Sequence, residues 1–327
     1  MAFYVFYWAC PADFEARRIL PQLLDFQRIL AEFPQEKLDE IVEAVAKAFS
    51  AASVELAELA VRETGFGNAS DKVTKNQFAS ETVAHRIKAQ KCVGVLKEDP
   101  KEKLWEVGVP VGVICGIVPS TNPTSTVCYK SLIALKSGNA IIFSPHPKAL
   151  KCTLRAAKIV EQAAVAAGAP AGCIGCLSMG AMAGTQELMA AEAVRLILAT
   201  GGPGMVRAAY SSGKPAIGVG AGNGPAYIHH SADVAHALRC ILRSKNFDYG
   251  TICASEQSII VEQCMEDKVR STAKTMGYYF MSTDEAGKLA ALLFKPNGTL
   301  NPEIVGRPAT ELARKAGFSV PADTKIL

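Results

Sequence analysis

The chain carries little net charge. Over 327 residues its formal charge is +4, too small to argue for a nucleic-acid partner, and no basic run interleaved with aromatics is present. Long apolar runs are missing as well. The opening MAFYVFYWAC stops at Pro11, short of the about 20 residues that a membrane-spanning helix needs, so no membrane partner is expected. No basic n-region precedes it, which argues against a secretory signal. It reads as a terminal segment that packs on a neighbouring subunit or shell. Internal repeats and low-complexity tracts are absent. The single CxxC, Cys173 to Cys176 in CIGC, has no second CxxC or spaced His pair to complete a zinc site. It is read as buried packing rather than a redox pair, and no metal is expected.

What is present fits a soluble globular protein. Apolar residues make up 49% and charged residues 20%. The length favours two domains, each able to bury a core. Of the ten cysteines, Cys115, Cys128, Cys152 and Cys240 fall in apolar periodic segments, where cysteine acts as a small hydrophobe. That usage fits a reducing cytosol.

Residues 34–64 place Leu38, Ile41, Val42, Val45 and Phe49 at helical spacing. A second helix is expected around NQFASETVAHRIKAQ, followed by a charged loop, KEDPKEK. From Val107 short apolar runs alternate with helices. VGVICGIVP, NAIIFSP, VRLILAT and KPAIGVG read as strands; the segments after the first three read as helices, two of them closed by Gly138 and Gly168. Continuous apolar strands between helices imply a doubly wound parallel sheet covered on both faces, with ligands outside the carboxyl ends of its strands. A helix over ADVAHALRCILRSKNF leads out of this domain. The expected division is 1–245, N-terminal helices and the doubly wound domain, and 246–327, the start of a second domain.

One thiol differs from the rest. Cys253, in NFDYGTICASEQS, follows Gly250 and precedes polar residues, a setting that suits an approachable nucleophile. TGGPG, Thr200 to Gly204, opens a helix after a strand; it is either an anion site or only a turn. Asn122, held extended before Pro123, either donates its amide to an oxyanion or caps the next helix. His146 in SPHP reads as a surface polar residue.

GIVPSTNPTST, NAIIFSPHPKA, LILATGGPGMVRAAYSSGKPAIGVGAGN and FDYGTICASEQS together resemble the CoA-acylating branch of the aldehyde dehydrogenase superfamily, most of all the aldehyde dehydrogenase half of bifunctional aldehyde–alcohol dehydrogenases. The likeness runs from about residue 34 to the end. It implies a Rossmann-like cofactor domain, NAD or NADP as cofactor, and CoA and a small aldehyde, acetaldehyde by default, as substrates. Cys253 matches the family's catalytic thiol. Asn122 matches the asparagine that holds the oxyanion together with the Cys253 N–H. Thr200, Gly201 and Gly202 match the loop at the cofactor pyrophosphate, and Ser144, Pro145 and His146 the stretch near the adenosine ribose. Pro119 and Gly220 belong to the same cofactor-binding set. Hydrolytic relatives carry a general-base glutamate where Val219 stands here, and a lysine where Ser144 stands. The resemblance further implies a cytoplasmic homo-oligomer, within reach of bacterial microcompartments. Family members continue well past Leu327, so the chain reads as C-terminally truncated, with an incomplete second domain.

Two other readings compete. One is a cysteine hydrolase using Cys253 with His229, His230 or His236. The other is a non-catalytic remnant that binds nucleotide or pairs with full-length subunits.

Overall fold

The computed structural model describes residues 11–220 and 222–327. The opening decapeptide, with the expectation that it packs on a neighbour, lies outside the described residues. By contacts the chain divides into two compact units. One comprises the residues up to Thr64 and Lys72–Gly220; the other comprises Gly65–Asp71 and the residues after Gly220.

The first unit opens with α1 (Pro11–Ala31), α2 (Gln35–Ala51) and α3 (Ser53–Thr64). The stretch 34–64 is thus two helices, separated at Ala52, and its expected stripe is buried on α2. The helical region expected near 76–90 comprises α4 (Ala69–Gln77), a π-turn at Phe78–Thr82 and α5 (Val83–Ile87). KEDPKEK is no plain loop. It forms the turn end of a hairpin in which β1 (Gly94–Asp99) runs antiparallel to β2 (Leu104–Gly108).

Next come β3 (Val113–Ile117), α6 (Pro123–Lys136), β4 (Ala140–Ser144), α7 (Leu150–Ala166), β5 (Ile174–Cys176), α8 (Met182–Ala190), β6 (Val194–Thr200), α9 (Pro203–Tyr210) and β7 (Ala216–Val219). The strands form one parallel sheet in the order β5-β4-β3-β6-β7. Every residue of β3 and β4 is buried. Successive side chains point to opposite faces. Ile114, Ile141 and Phe143 join residues of α2, α6 and α7 in one apolar cluster. Val113, Cys115, Ile117 and Ile142 join residues of α1 and α8 in the other. The sheet is therefore doubly wound, as the apolar runs implied. Its strand order reverses between β3 and β6, so the crevice at their carboxyl ends is the switch point where such sheets bind ligands.

In the second unit β8 (Gly224–Ile228) and β9 (Glu256–Val261) pair in parallel, connected through α10 (Val234–Asn246). α11 (Glu266–Lys274), α12 (Thr283–Leu293) and α13 (Ala309–Ala316) follow. Ile228, Leu238, Ile241, Val269 and Tyr278 share one core. Because β8 and α10 belong to that core, the compact division falls at Gly220 rather than at 245/246.

Candidate functional site

Every residue expected at the cofactor, and with them Asn122 expected at the oxyanion, lies at or after the carboxyl end of a strand in the first unit. Pro119 and Asn122 follow β3, Ser144 to His146 end β4, Thr200 to Gly202 end β6, and Gly220 follows β7. The Gly201 N–H donates to Val219 O at 3.2 Å, and a Cβ on Gly220 would lie 3.9 Å from Gly201 O. The glycine turn and the Gly220 loop are therefore neighbours. Gly202 is the N-cap of α9, Pro203 fills the first helical position, and no side chain caps the end. A Cβ on Gly202 or Gly204 would meet nothing within 4 Å. This open, positive helix end fits a pyrophosphate.

After β4 the hydroxyl of Ser144 is buried against Thr185 Oγ1 at 2.7 Å. His146 is exposed, and its Nδ1 accepts the Lys148 N–H at 3.1 Å, which puts the ring proton on Nε2. Partial burial, then the nearby Lys148 charge, holds the ring below the usual histidine pKa.

Asn122 is the N-cap of α6, yet its side chain makes no capping bond. Its Oδ1 instead accepts Lys75 Nζ at 2.6 Å. An ammonium only donates, so the amide oxygen faces Lys75 and the NH2 group faces the other way, reaching Thr121 Oγ1 at 3.2 Å. Lys72 Nζ holds Thr121 O at 2.9 Å. Lys130, wholly buried on α6, donates to Ile117 O and Leu198 O at 2.7 Å each. It thereby ties β3 to β6 at the switch point. Burial lowers its pKa to about 7, and a neutral amine still has two N–H groups for the two carbonyls. Sequence reasoning missed all three lysines. The signal was available for Lys130, a charge inside the apolar run TVCYKSLIALK.

Cys253 belongs to the second unit. After α10 the chain takes left-handed backbone at Asp248 (φ 50°), Tyr249 (φ 49°) and Gly250 (φ 74°). Only glycine adopts this region readily, so local contacts must hold the other two. Asp248 is wholly buried. Its carboxylate accepts the Asn68 N–H at 2.8 Å and Thr251 Oγ1 at 2.6 Å, and its own N–H donates to Asp71 Oδ2 at 2.7 Å. A Cβ on Gly67 would fall 1.8 Å from Asp248 Oδ1, so only glycine lets this distant segment close on the carboxylate.

Cys253 itself is exposed. A Cβ on Gly222 would lie 2.1 Å from Cys253 O, so glycine also backs the thiol's own peptide. Buried Ser255 donates its N–H and Oγ to Ile252 O at 3.3 and 3.0 Å. The thiol is thus open to solvent on a loop anchored on both sides, which combines the access and the fixed direction that a nucleophile needs. Glu256, at the start of β9, has a buried Oε2 without a hydrogen-bond partner. Its charge adds to burial in pushing Tyr278 up to about 12.

The other thiols mostly pack. Cys115, Cys128, Cys152 and Cys173 are buried, and burial raises their pKa values, those of Cys115 and Cys173 to about 12. Both cysteines of CIGC pack in or against the first unit's core. Cys240 departs from expectation. It is exposed, with Sγ 3.6 Å from His236 Nε2, because the buried stripe of α10 runs through Val234, Leu238 and Ile241 and misses it. His230 Nδ1 pairs with Glu262 Oε1 at 2.8 Å and His229 Nδ1 with Ser231 Oγ at 2.8 Å. The rings raised for a cysteine hydrolase therefore have partners other than Cys253.

Residues 15–277 match the model of the aldehyde dehydrogenase family. The chain is 50% identical over 313 residues to the bifunctional aldehyde-alcohol dehydrogenase of Escherichia coli K12, covering 96% of this chain and 35% of that protein. It thus spans about a third of that relative's length. The crystal structure of an acetylating aldehyde dehydrogenase from Geobacillus thermoglucosidasius is 48% identical, with a TM-score of 0.94, over 98% of this chain and 71% of that one. The propionaldehyde dehydrogenase of Rhodopseudomonas palustris, solved with bound propionyl-CoA, is 29% identical with a TM-score of 0.83, over 95% and 69%. On the family match and these likenesses, the chain belongs to the aldehyde dehydrogenase family, on its acylating branch.

Proposed function

We propose that this chain carries the cofactor loops and the nucleophile of a CoA-acylating aldehyde dehydrogenase, which converts a short aldehyde, CoA and NAD(P) to acyl-CoA and NAD(P)H. The observation that carries the reading is Cys253, exposed on a loop whose backbone is fixed by buried Asp248 and by Gly222. Its thiolate attacks the aldehyde carbonyl carbon, and the Asn122 amide, oriented by Lys75, receives the oxyanion together with the Cys253 N–H. The dinucleotide, when bound, supplies the hydride acceptor. Thr200, Gly201 and Gly202 would hold its pyrophosphate, with Pro119 and Gly220 beside them, and Ser144, Pro145 and His146 would take the adenosine ribose. Cys253 is left as an acyl thioester, and the CoA thiol takes the acyl group while the proton returns to Cys253 sulfur.

Val219 decides the acceptor. It stands half-exposed and apolar where hydrolytic relatives place a general base, and such a base is typically worth 10²–10⁴-fold. Acetaldehyde is the default substrate, and NAD the default cofactor with NADP as the variant. A cytoplasmic homo-oligomer belongs to the same reading, on the resemblance alone. Among the described residues no helix is long and apolar enough to cross a membrane.

Limiting iodoacetamide tests the nucleophile on the chain itself. Adducts mapped by mass spectrometry should accumulate on Cys253 ahead of Cys240 and Cys264, the other exposed thiols described. Labelling of those two with Cys253 untouched would sink the assignment.

A further inference from the structure

The carboxyl ends of β8 and β9 lie side by side, Ile228 paired with Val261 in parallel register. The residues after each strand are therefore neighbours. They are His229 and His230 after β8 and Glu262 after β9. The imidazole centroids are 3.8 Å apart, with the rings tilted by 39°. Glu262 Oε1 accepts His230 Nδ1 at 2.8 Å, the His230 N–H at 3.3 Å and the Tyr227 hydroxyl at 3.1 Å. Ser231 Oγ lies 2.8 Å from His229 Nδ1. One ring nitrogen of each histidine and one Glu262 oxygen all lie within 4.8 Å of one another. The proposed dehydrogenase chemistry uses none of these groups.

We propose that His229, His230 and Glu262 form a surface site for one divalent transition cation of the zinc type. Two imidazoles and a carboxylate are a donor set that such ions favour, with remaining positions left to water. Zinc–nitrogen bonds of about 2.0–2.1 Å put two ligand nitrogens on one ion roughly 3.3 Å apart. The ligand atoms lie within 4.8 Å of one another, and His230 Nδ1 is already 2.8 Å from Glu262 Oε1, so that hydrogen bond must open while the other pairs draw in, which side-chain rotation supplies because both histidines are exposed. The backbone under them does not have to move. It is set by the β8–β9 pairing, and the His230 N–H holds the Glu262 carboxylate beside it. Ligation needs an unprotonated ring nitrogen, so any proton held there goes to buffer. A bound cation would join the end of β8 to the end of β9, the strand that follows the Cys253 loop.

Calorimetric titration of the full chain with ZnCl2 tests the site, after N-ethylmaleimide has blocked the exposed thiols that would otherwise compete. The blocked chain should take up one Zn²⁺ with an affinity that falls between pH 7.5 and pH 5.5. His229→Ala, His230→Ala and Glu262→Gln should each weaken it by about tenfold or more. His236→Ala, at an exposed histidine outside the cluster, should leave it unchanged. All four positions are on the surface, and far-UV circular dichroism checks that each variant is folded. The proposal is overturned if the blocked chain takes up no Zn²⁺, or if the His229→Ala, His230→Ala double variant binds it as tightly as the parent. The outcome is independent of the dehydrogenase reading.

Discussion

In the first unit the loops expected at the cofactor hang from a sheet whose β3 and β4 are buried along their whole length. Backbone ladders and two apolar clusters fix their starting points, and Lys130 clamps the two strands at the switch point. In the second unit the cysteine loop has no such sheet behind it. A strained turn is held by one buried carboxylate and the donors gathered around it. A site built on packing should respond to lost volume and tolerate polar change at its open edge. A site built on a polar knot should respond to the loss of a single oxygen. Substitutions can break this contrast or sharpen it.

The largest stability effect is expected at Phe143, wholly buried in β4. Phe143→Ala removes a ring from the sheet core and should cost about 3–5 kcal/mol in a urea unfolding series. Asp248→Ala should cost less, about 1–3 kcal/mol, by orphaning buried donors. It should also change the rate at which iodoacetamide labels Cys253, which Phe143→Ala, in folded protein, should not. Equal effects of both substitutions on Cys253 labelling would erase the contrast.

A smaller effect concerns pH. Lys130 has a pKa of about 7 when folded, against 10.5 as its ordinary value. Between those values the unfolded chain holds the proton and the folded chain does not, so this group makes stability rise with pH above about 7. The urea midpoint should therefore climb from pH 7 to pH 8.5, and Lys130→Met should flatten that climb. A climb of the same size in the variant would show that the ammonium stays charged in the fold.

The smallest stability change is expected at Gly202, where a Cβ meets open space. Gly202→Asp should stay within about 0.5 kcal/mol of the parent. It nevertheless sets a negative charge where the pyrophosphate should lie, so calorimetric binding of NAD should be lost. Unchanged affinity would move the dinucleotide away from this turn.

The same contrast explains what could be read in the sequence. VICGI, AIIFS and VRLILAT stand out because parallel strands covered on both faces read as near-continuous apolar runs. The hairpin of β1 and β2 did not, because Leu104, Trp105 and Val107 are exposed and interleaved with charges. α1 had no reading at all, lying behind an opening stretch read as a terminal segment. Cys253 was legible from its polar, glycine-flanked setting. The device that holds it was not, since Asp248 and Tyr249 take left-handed backbone without being glycine, and the partners Gly67, Asn68 and Asp71 lie about 180 residues away. Cys240 was misread because its helix is periodic while the residue itself sits outside the buried stripe.

The central claim is that the Cys253 thioester waits for a thiol because Val219 supplies no base. The direct measurement uses a chimera, residues 1–327 followed by the remaining C-terminal residues of the Geobacillus thermoglucosidasius acetylating enzyme, mixed with acetaldehyde and NAD. Without CoA it should release at most one NADH per chain and stop, and added CoA should restore steady turnover with acyl-CoA as the product. Sustained NADH release without CoA, with free carboxylic acid accumulating at the same rate, would contradict the account and make water the acceptor.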